Sequence, residues 1–152
     1  GLLVAFEGAD IFASRWTPGA LAVTHLLTVG FMMQAMLGAL IQILPVVAGA
    51  NLENPLRVAK IVHPGLSLGA LLLAAGLYLG NPVLLTAAAL LLGLTVAFFL
   101  AATARALIGV PSTSPTIRGL KLALLGLACV VSIGIVMALA LAAAPVLFTD
   151  KL

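Results

Sequence analysis

The fold is decided by residues 61–104, IVHPGLSLGALLLAAGLYLGNPVLLTAAALLLGLTVAFFLAATA, a run without a single acidic or strongly basic side chain. A helix that crosses the hydrocarbon core of a bilayer needs about 20 apolar residues, so this run is long enough for two crossings. Gly80, Asn81 and Pro82 lie at its centre and form a turn signal. We therefore expect two antiparallel membrane-spanning helices joined by a tight turn.

Two more uncharged runs, residues 16–52 and 122–149, flank this pair. The whole chain is 64% hydrophobic and 7% charged, with a mean hydropathy of +1.33, which is outside the usual range of water-soluble domains. The sequence thus predicts an all-α transmembrane bundle, a single membrane domain over residues 1–152. We expect four spanning helices, at about residues 18–47, 57–79, 82–106 and 117–143. Residues 1–16 resemble the end of a preceding segment or a loop, as expected for a fragment or half of a longer protein.

The basic residues are distributed unevenly between the two sides of this predicted bundle. The two loops on one side carry most of them: Arg57, Lys60, Arg105, Arg118 and Lys121. Loops rich in Lys and Arg stay in the cytoplasm, so the sequence predicts a multi-pass protein of the bacterial inner membrane with these loops cytoplasmic. The net charge of +3 reflects this bias and indicates no nucleic-acid partner, whereas membrane lipid is an expected one.

Small residues predict where the helices approach each other. Helices in lipid associate through close backbone contact, for which glycine leaves room. We expect packing faces at three sets of glycines: Gly30 and Gly38 in the first helix, Gly65, Gly69 and Gly76 in the second, and Gly126 and Gly134 in the fourth. Cys129, the only cysteine, is expected to be a small buried hydrophobic residue.

His25 lies inside the first predicted span and needs a partner there, because an ionisable group at membrane depth is costly. At about 100° per residue, Met32 and Met36 share its helix face and Thr28 borders it. Neutral imidazole is a common ligand of heme iron; the alternative is a hydrogen bond to a carbonyl or to Thr28. Arg15 is expected either to anchor the chain among lipid headgroups or to donate to an anionic group.

His63 precedes Pro64 in the second span, where the missing N–H of proline frees a carbonyl one turn earlier. Counted from the loop near residue 52, the two histidines differ in depth by about 24 Å. We therefore expect that they do not share one heme. His63 is predicted to be either the ligand of a second heme toward the cytoplasmic side or a hydrogen-bonded histidine next to Pro64.

Three stretches, residues 14–49, 61–80 and 114–141, resemble a bacterial family of multi-spanning proteins. That family is distantly similar to heme-copper oxidase subunit I and to the heme-copper membrane proteins linked to the nitric-oxide response. In this superfamily a histidine followed by Leu, Gly and an aromatic residue, as in HLLTVGF at residues 25–31, binds heme near the outer side of the membrane. The resemblance implies that His25 is an axial ligand of heme b, with Thr28, Met32 and Met36 lining the site and Arg15 near a propionate.

The chain also departs from that superfamily. An oxygen-reducing centre needs several more histidines, and this chain has two. A second axial ligand would come from a second half of the same protein, from another membrane subunit, or from a second copy in a homodimer. No nucleophile–base pair, carboxylate pair or phosphate loop is present, so any chemistry would belong to a cofactor.

Three functions therefore remain open. The first is a heme-binding electron-transfer or sensing subunit, or part of a heme-copper-oxidase-like oxidoreductase. The second is a heme-free copper-handling protein that uses His25, Met32 and Met36, because thioether ligands suit Cu(I). The third is a structural or assembly subunit of a membrane complex that binds no cofactor.

Overall fold

A computed structural model describes residues 14–112 and 114–144, and it shows helices and connecting loops with no strand in that part of the chain. Four helices are long and apolar enough to cross a membrane, which confirms the predicted all-α bundle and a multi-pass membrane protein. They are α1 (Pro18–Ala48), α2 (Pro55–Leu79), α3 (Pro82–Leu107) and α4 (Pro115–Ala143). Each end lies within two residues of its predicted position.

The helix starts follow from a polar residue placed immediately before a proline. Thr17 accepts a hydrogen bond from the backbone N–H of the first turn of α1, and Asn81 and Ser114 do the same for α3 and α4. Asn54 precedes α2 in the same way but makes no side-chain cap. The first turn of α2 therefore keeps N–H groups without a side-chain partner.

Helices α2 and α3 form the closest pair, joined by a turn in which Gly80 adopts a left-handed conformation with φ of 60°. Three glycines of α2 lie directly against side chains of α3, in the pairs Gly65–Thr95, Gly69–Leu92 and Gly76–Leu85. A Cβ atom at Gly76 would lie 2.9 Å from the backbone nitrogen of Leu85. The prediction that α2 packs through these three glycines is confirmed.

The core joins α1, α2 and α3 and is built from fully apolar side chains. Its buried members are Leu37, Val58, Val62, Leu66, Val96 and Phe99. Phe99 and Leu66 are completely inaccessible to solvent. These residues hold the middle of the bundle together, whereas the polar positions described below lie nearer its edges.

Helix α4 lies at the periphery, with no buried residue along its whole length. Gly126 and Gly134 face open space, and Cys129 is exposed. The prediction that Cys129 is buried is therefore wrong, and the predicted packing face at Gly126 and Gly134 has no helix against it among the described residues. In the contact between α3 and α4 the glycine belongs to α3, because the side chain of Ile135 packs against Gly93.

Two basic residues fasten the start of α4 to the loop that precedes it. The Nε of Arg118 donates to the carbonyl of Ser112 at 2.8 Å. The Nζ of Lys121 donates to the carbonyl of Val110 at 2.8 Å and to the hydroxyl of Ser112 at 3.0 Å. These bonds stabilise the loop before α4. The end of the bundle at which this loop lies also carries residues 49–54, and we name it the basic end.

Candidate functional site

His25 is half-buried and is the last residue of the first α-helical part of α1, Pro18–His25. Its Nδ1 lies 2.7 Å from the carbonyl oxygen of Leu21, one turn earlier. Because a carbonyl can only accept, Nδ1 carries a hydrogen, and in a neutral imidazole the lone pair is then on Nε2. No residue in the described chain bonds to Nε2, so this nitrogen is the candidate ligand atom.

A π-helical segment, Leu26–Met32, follows His25 directly. Such segments interrupt the regular backbone hydrogen bonds of a helix and occur frequently at functional sites. Side-chain donors bond to carbonyls before and within it: Thr28 donates to the carbonyl of Thr24 at 2.8 Å, and Gln34 donates to the carbonyl of Gly30 at 2.7 Å. Together with His25, they supply three side-chain hydrogen bonds to carbonyls around the irregular stretch of α1.

The π-helical segment changes which residues share a face with His25. It corresponds to one residue more than a regular helix, which rotates everything that follows by about 100°. The predicted common face of His25, Met32 and Met36 assumed an unbroken α-helix, which the π-helical segment interrupts, so a site lined by all three stays a prediction. Met32 and Met36 are 54% and 67% exposed, and Thr28 is exposed as well.

A hydrogen bond from Gln34 sets the position of α1 along the axis of α2. The Nε2 of Gln34 also donates to the hydroxyl of Ser67 at 3.1 Å, and Ser67 in turn donates to the carbonyl of His63 at 2.9 Å. From this contact His25 lies nine residues toward one end and His63 four residues toward the other, so the two are about 20 Å apart along the helix axes. That separation is too large for both imidazoles to bind one iron within this chain.

The remaining candidate residues lie apart from His25. His63 is exposed on α2, which continues as a helix through Pro64. Arg15 is exposed just before α1, with its guanidinium carbon 5.3 Å from the centroid of the Trp16 ring. This stacking leaves the charged group just outside the start of α1, whose first residue is about 10 Å in helix rise from His25.

Sequence reasoning missed two features that the structure brings out. The π-helical segment has no signature in the hydrophobic pattern. Arg57 and Arg105 line one cavity at the basic end although they are far apart in the chain. The only signal for this pairing was that both residues lie at the same end of neighbouring antiparallel helices.

Within residues 14–112 and 114–144 no group of three or more His, Cys, Asp or Glu side chains could hold a metal ion. The arrangement around His25 therefore supplies a single imidazole ligand rather than a complete metal cage. Such a ligand suits a metal that brings most of its own coordination, as the iron of a porphyrin does. No protein-family model, curated protein or solved structure matches this chain.

Proposed function

We propose that the chain is a heme-binding integral membrane protein, an electron-transfer or sensing subunit or part of a heme-copper-oxidase-like oxidoreductase, in which His25 is an axial ligand of heme b. The observation that carries the proposal is that His25 is half-buried on α1 and bonds to the carbonyl of Leu21 through Nδ1, while Nε2 has no hydrogen-bond partner among the described residues. The bond to Leu21 is also the predicted alternative to ligation, but it is compatible with heme, because a metal-ligating histidine commonly donates its other ring N–H to a carbonyl. The π-helical segment beside His25 gives further support.

A bound heme would supply one-electron chemistry, and the protein would orient it and tune its potential. His25 would hold the iron, and Arg15 would meet a propionate at the edge of the membrane. The second axial ligand would come from another copy, another subunit or a second half of the protein, because His63 is about 20 Å away in depth.

Purified protein, expressed with ample heme and with its partners, is the test of this proposal. We expect a Soret band and reducible α bands in the wild type. His25→Ala should lose the heme or convert it to a high-spin form while the helical circular dichroism spectrum stays unchanged. His63→Ala is the matched control and should keep the signal. Wild-type protein without heme, or an identical loss in both variants, would contradict the assignment.

The two methionines separate the heme proposal from the copper alternative. If His25 binds heme, Met32→Leu and Met36→Leu should keep the bound heme, because the imidazole and not a thioether would hold the iron. If the chain handles Cu(I), the same variants should lower the copper content, which would be about one ion per chain in the wild type. Metal analysis beside the absorption spectrum distinguishes the two outcomes.

A structural or assembly subunit is the competing candidate, favoured by one observation. Helix α4 has no buried residue, and Gly126 and Gly134 face open space where another helix would fit. Protein that carries neither heme nor copper but is recovered in a stable complex with other membrane subunits would support this function instead.

We further propose that the protein resides in the bacterial inner membrane with its basic end in the cytoplasm, since loops rich in Lys and Arg are retained there. Cysteines introduced as R57C and R118C in a C129A background should react with an impermeant reagent from the cytoplasmic side only. S14C, at the opposite end, is the control and should react from outside. Labelling of the basic end from outside would overturn this orientation.

A further inference from the structure

A cavity of about 480 Å³ opens at the basic end, between the start of α2 and the end of α3. This volume falls within the range of about 300–1,000 Å³ that is typical of small-molecule sites. Its polar lining consists of Asn51, Glu53, Asn54, Arg57 and Arg105. The cavity lies about as far from His25 as the length of the bundle allows, and it is independent of the proposed heme site.

The two arginines of the cavity differ from the other cations of the basic end. Arg118 and Lys121 donate hydrogen bonds to the loop before α4. Arg57 and Arg105, by contrast, have no hydrogen bond or ion pair with any residue that the structure describes. Two guanidinium groups without protein partners at one cavity provide donors for an anion, and their planar geometry suits the oxygens of a phosphate group.

The start of α2 adds to this positive potential. Asn54 makes no side-chain cap, so first-turn N–H groups of α2 remain without a side-chain partner beside the cavity. Glu53 lines the same cavity and opposes anion binding, which leaves an excess of one positive charge among the lining residues.

The part of the cavity that lies farther from the basic end is apolar, and it opens on the outer surface of the bundle. Val58, Ile61 and Phe98 line it, and the last two are 42% and 39% exposed on the outer surface of the bundle. An acyl chain could lie along Ile61 and Phe98 while its headgroup stays at the level of the arginines. A free anion would use the polar part only and would leave this apolar surface uncovered.

We propose that this cavity binds an anionic phospholipid of the adjoining leaflet, whose phosphate group contacts Arg57 and Arg105 and whose acyl chain lies along Ile61 and Phe98. Basic pockets between membrane helices at the level of the headgroups provide the charge that such lipids recognise. The apolar surface selects a lipid over a soluble phosphate ester. The lipid fills the gap between α2 and α3 at the basic end, where the close glycine packing of these helices does not extend.

A tryptophan placed in the cavity reports which lipid occupies it. We suggest F98W in a W16F background, reconstituted in phosphatidylcholine vesicles that contain either brominated phosphatidylglycerol or brominated phosphatidylcholine as the quencher. The relative affinity from quenching should favour phosphatidylglycerol on the order of tenfold. L125W, on an exposed position of α4, is the matched control and should show no preference.

Charge variants of the F98W protein then identify the groups responsible. R57Q and R105Q should each lower the preference by about threefold, and E53Q should raise it by a similar factor. K60Q removes a cation from the same helix but outside the cavity and should leave the preference unchanged. Equal quenching by both lipids at position 98, or an undiminished preference in the R57Q/R105Q protein, would overturn the proposal.

Inorganic phosphate distinguishes a lipid site from a site for a free anion. At equal ionic strength, phosphate and chloride should affect the quenching equally if the occupant is a phospholipid. Selective loss of the preference in phosphate would show that the cavity takes a soluble phosphate, which would contradict the lipid assignment. Because the first comparison uses unaltered arginines, it remains decisive even if the R57Q/R105Q protein fails to fold.

Discussion

The α2–α3 interface and helix α4 both carry glycines, but they use them differently. In α2, Gly69 and Gly76 lie directly against residues of α3, so that even one added methyl group would collide. In α4, the space around Gly126 and Gly134 is open. A glycine therefore favours helix association only where a complementary side chain faces it.

The two regions are also held in place by different interactions. The α2–α3 pair relies on close backbone approach and on buried side chains such as Val62 and Phe99. Helix α4 has no fully buried residue: Leu124, Leu127 and Val131 pack against the edge of the core, and hydrogen bonds from Arg118 and Lys121 hold its first turns to the preceding loop. Substitutions in the first region should therefore act on packing, and those in the second region on the loop.

The largest effect is expected from Gly69→Leu. A Cβ atom at this position would lie 2.5 Å from Cδ2 of Leu92, and the rest of a leucine side chain would force α2 and α3 apart. We expect a loss of about 3 kcal/mol in the free energy of unfolding. Unfolding in mixed detergent micelles measures it, with Gly126→Leu as a control that should change stability little. Equal stability of both variants would remove the distinction between the two regions.

Gly76→Ala is a finer probe of the same interface. The new methyl group would meet the backbone nitrogen of Leu85 at 2.9 Å, and a backbone atom cannot move aside as a flexible side chain can. We expect a loss of about 1.5 kcal/mol. Gly134→Ala, in the open part of α4, should be neutral or stabilising because alanine favours the helix. A Gly76→Ala protein as stable as the wild type would show that α2 and α3 can shift at low cost.

Lys121→Met tests how α4 is fastened. The change removes donors to the carbonyl of Val110 and the hydroxyl of Ser112 while it keeps the apolar part of the side chain. We expect a loss of about 1 kcal/mol in stability and faster proteolytic cleavage in the loop before α4. Lys60→Met is the control at the same end of the bundle and should leave the cleavage rate unchanged. Unaltered cleavage in both variants would contradict a role for Lys121 in holding the loop.

The smallest effect is expected at the polar contact between α1 and α2. A double-mutant cycle with Gln34→Leu and Ser67→Ala isolates the 3.1 Å hydrogen bond between these side chains. We expect a coupling free energy of about 0.6 kcal/mol, as is typical of hydrogen bonds between membrane helices. Additive effects of the two substitutions would show that this hydrogen bond positions α1 along α2 without contributing to stability.

The helix boundaries were predictable because proline and a preceding polar residue mark the start of each helix, as at Thr17 and Asn81. The glycine face of α2 was predictable as well, since three small residues recur along one helix. What the spacing could not show is whether a large side chain from a neighbour fills the space. For that reason Gly93, which receives Ile135, was missed, and the glycines of α4 were assigned to a contact that this chain does not make.

The candidate site was predictable only in part. His25 stood out because it is an ionisable residue within an apolar helix, whereas its hydrogen bond to Leu21 depends on the rotamer that the side chain adopts. The π-helical segment leaves no periodic pattern in the sequence that could have predicted it. The common face of Met32 and Met36 with His25 was therefore predicted from a regular helix that this part of α1 does not form.

Because of the π-helical segment, the directions of the side chains around α1 depend on how many residues the segment contains. In an unbroken α-helix, His25 and Gln34 would lie nine residues and therefore about 180° apart, on opposite sides. The extra residue of the π-helical segment reduces this angle to about 80°, so that Gln34 reaches Ser67 while His25 remains half-buried. Deleting one residue between positions 26 and 32 would restore the regular helix and separate the two environments. In this part of the chain, the length of the sequence carries as much structural information as the identity of its residues.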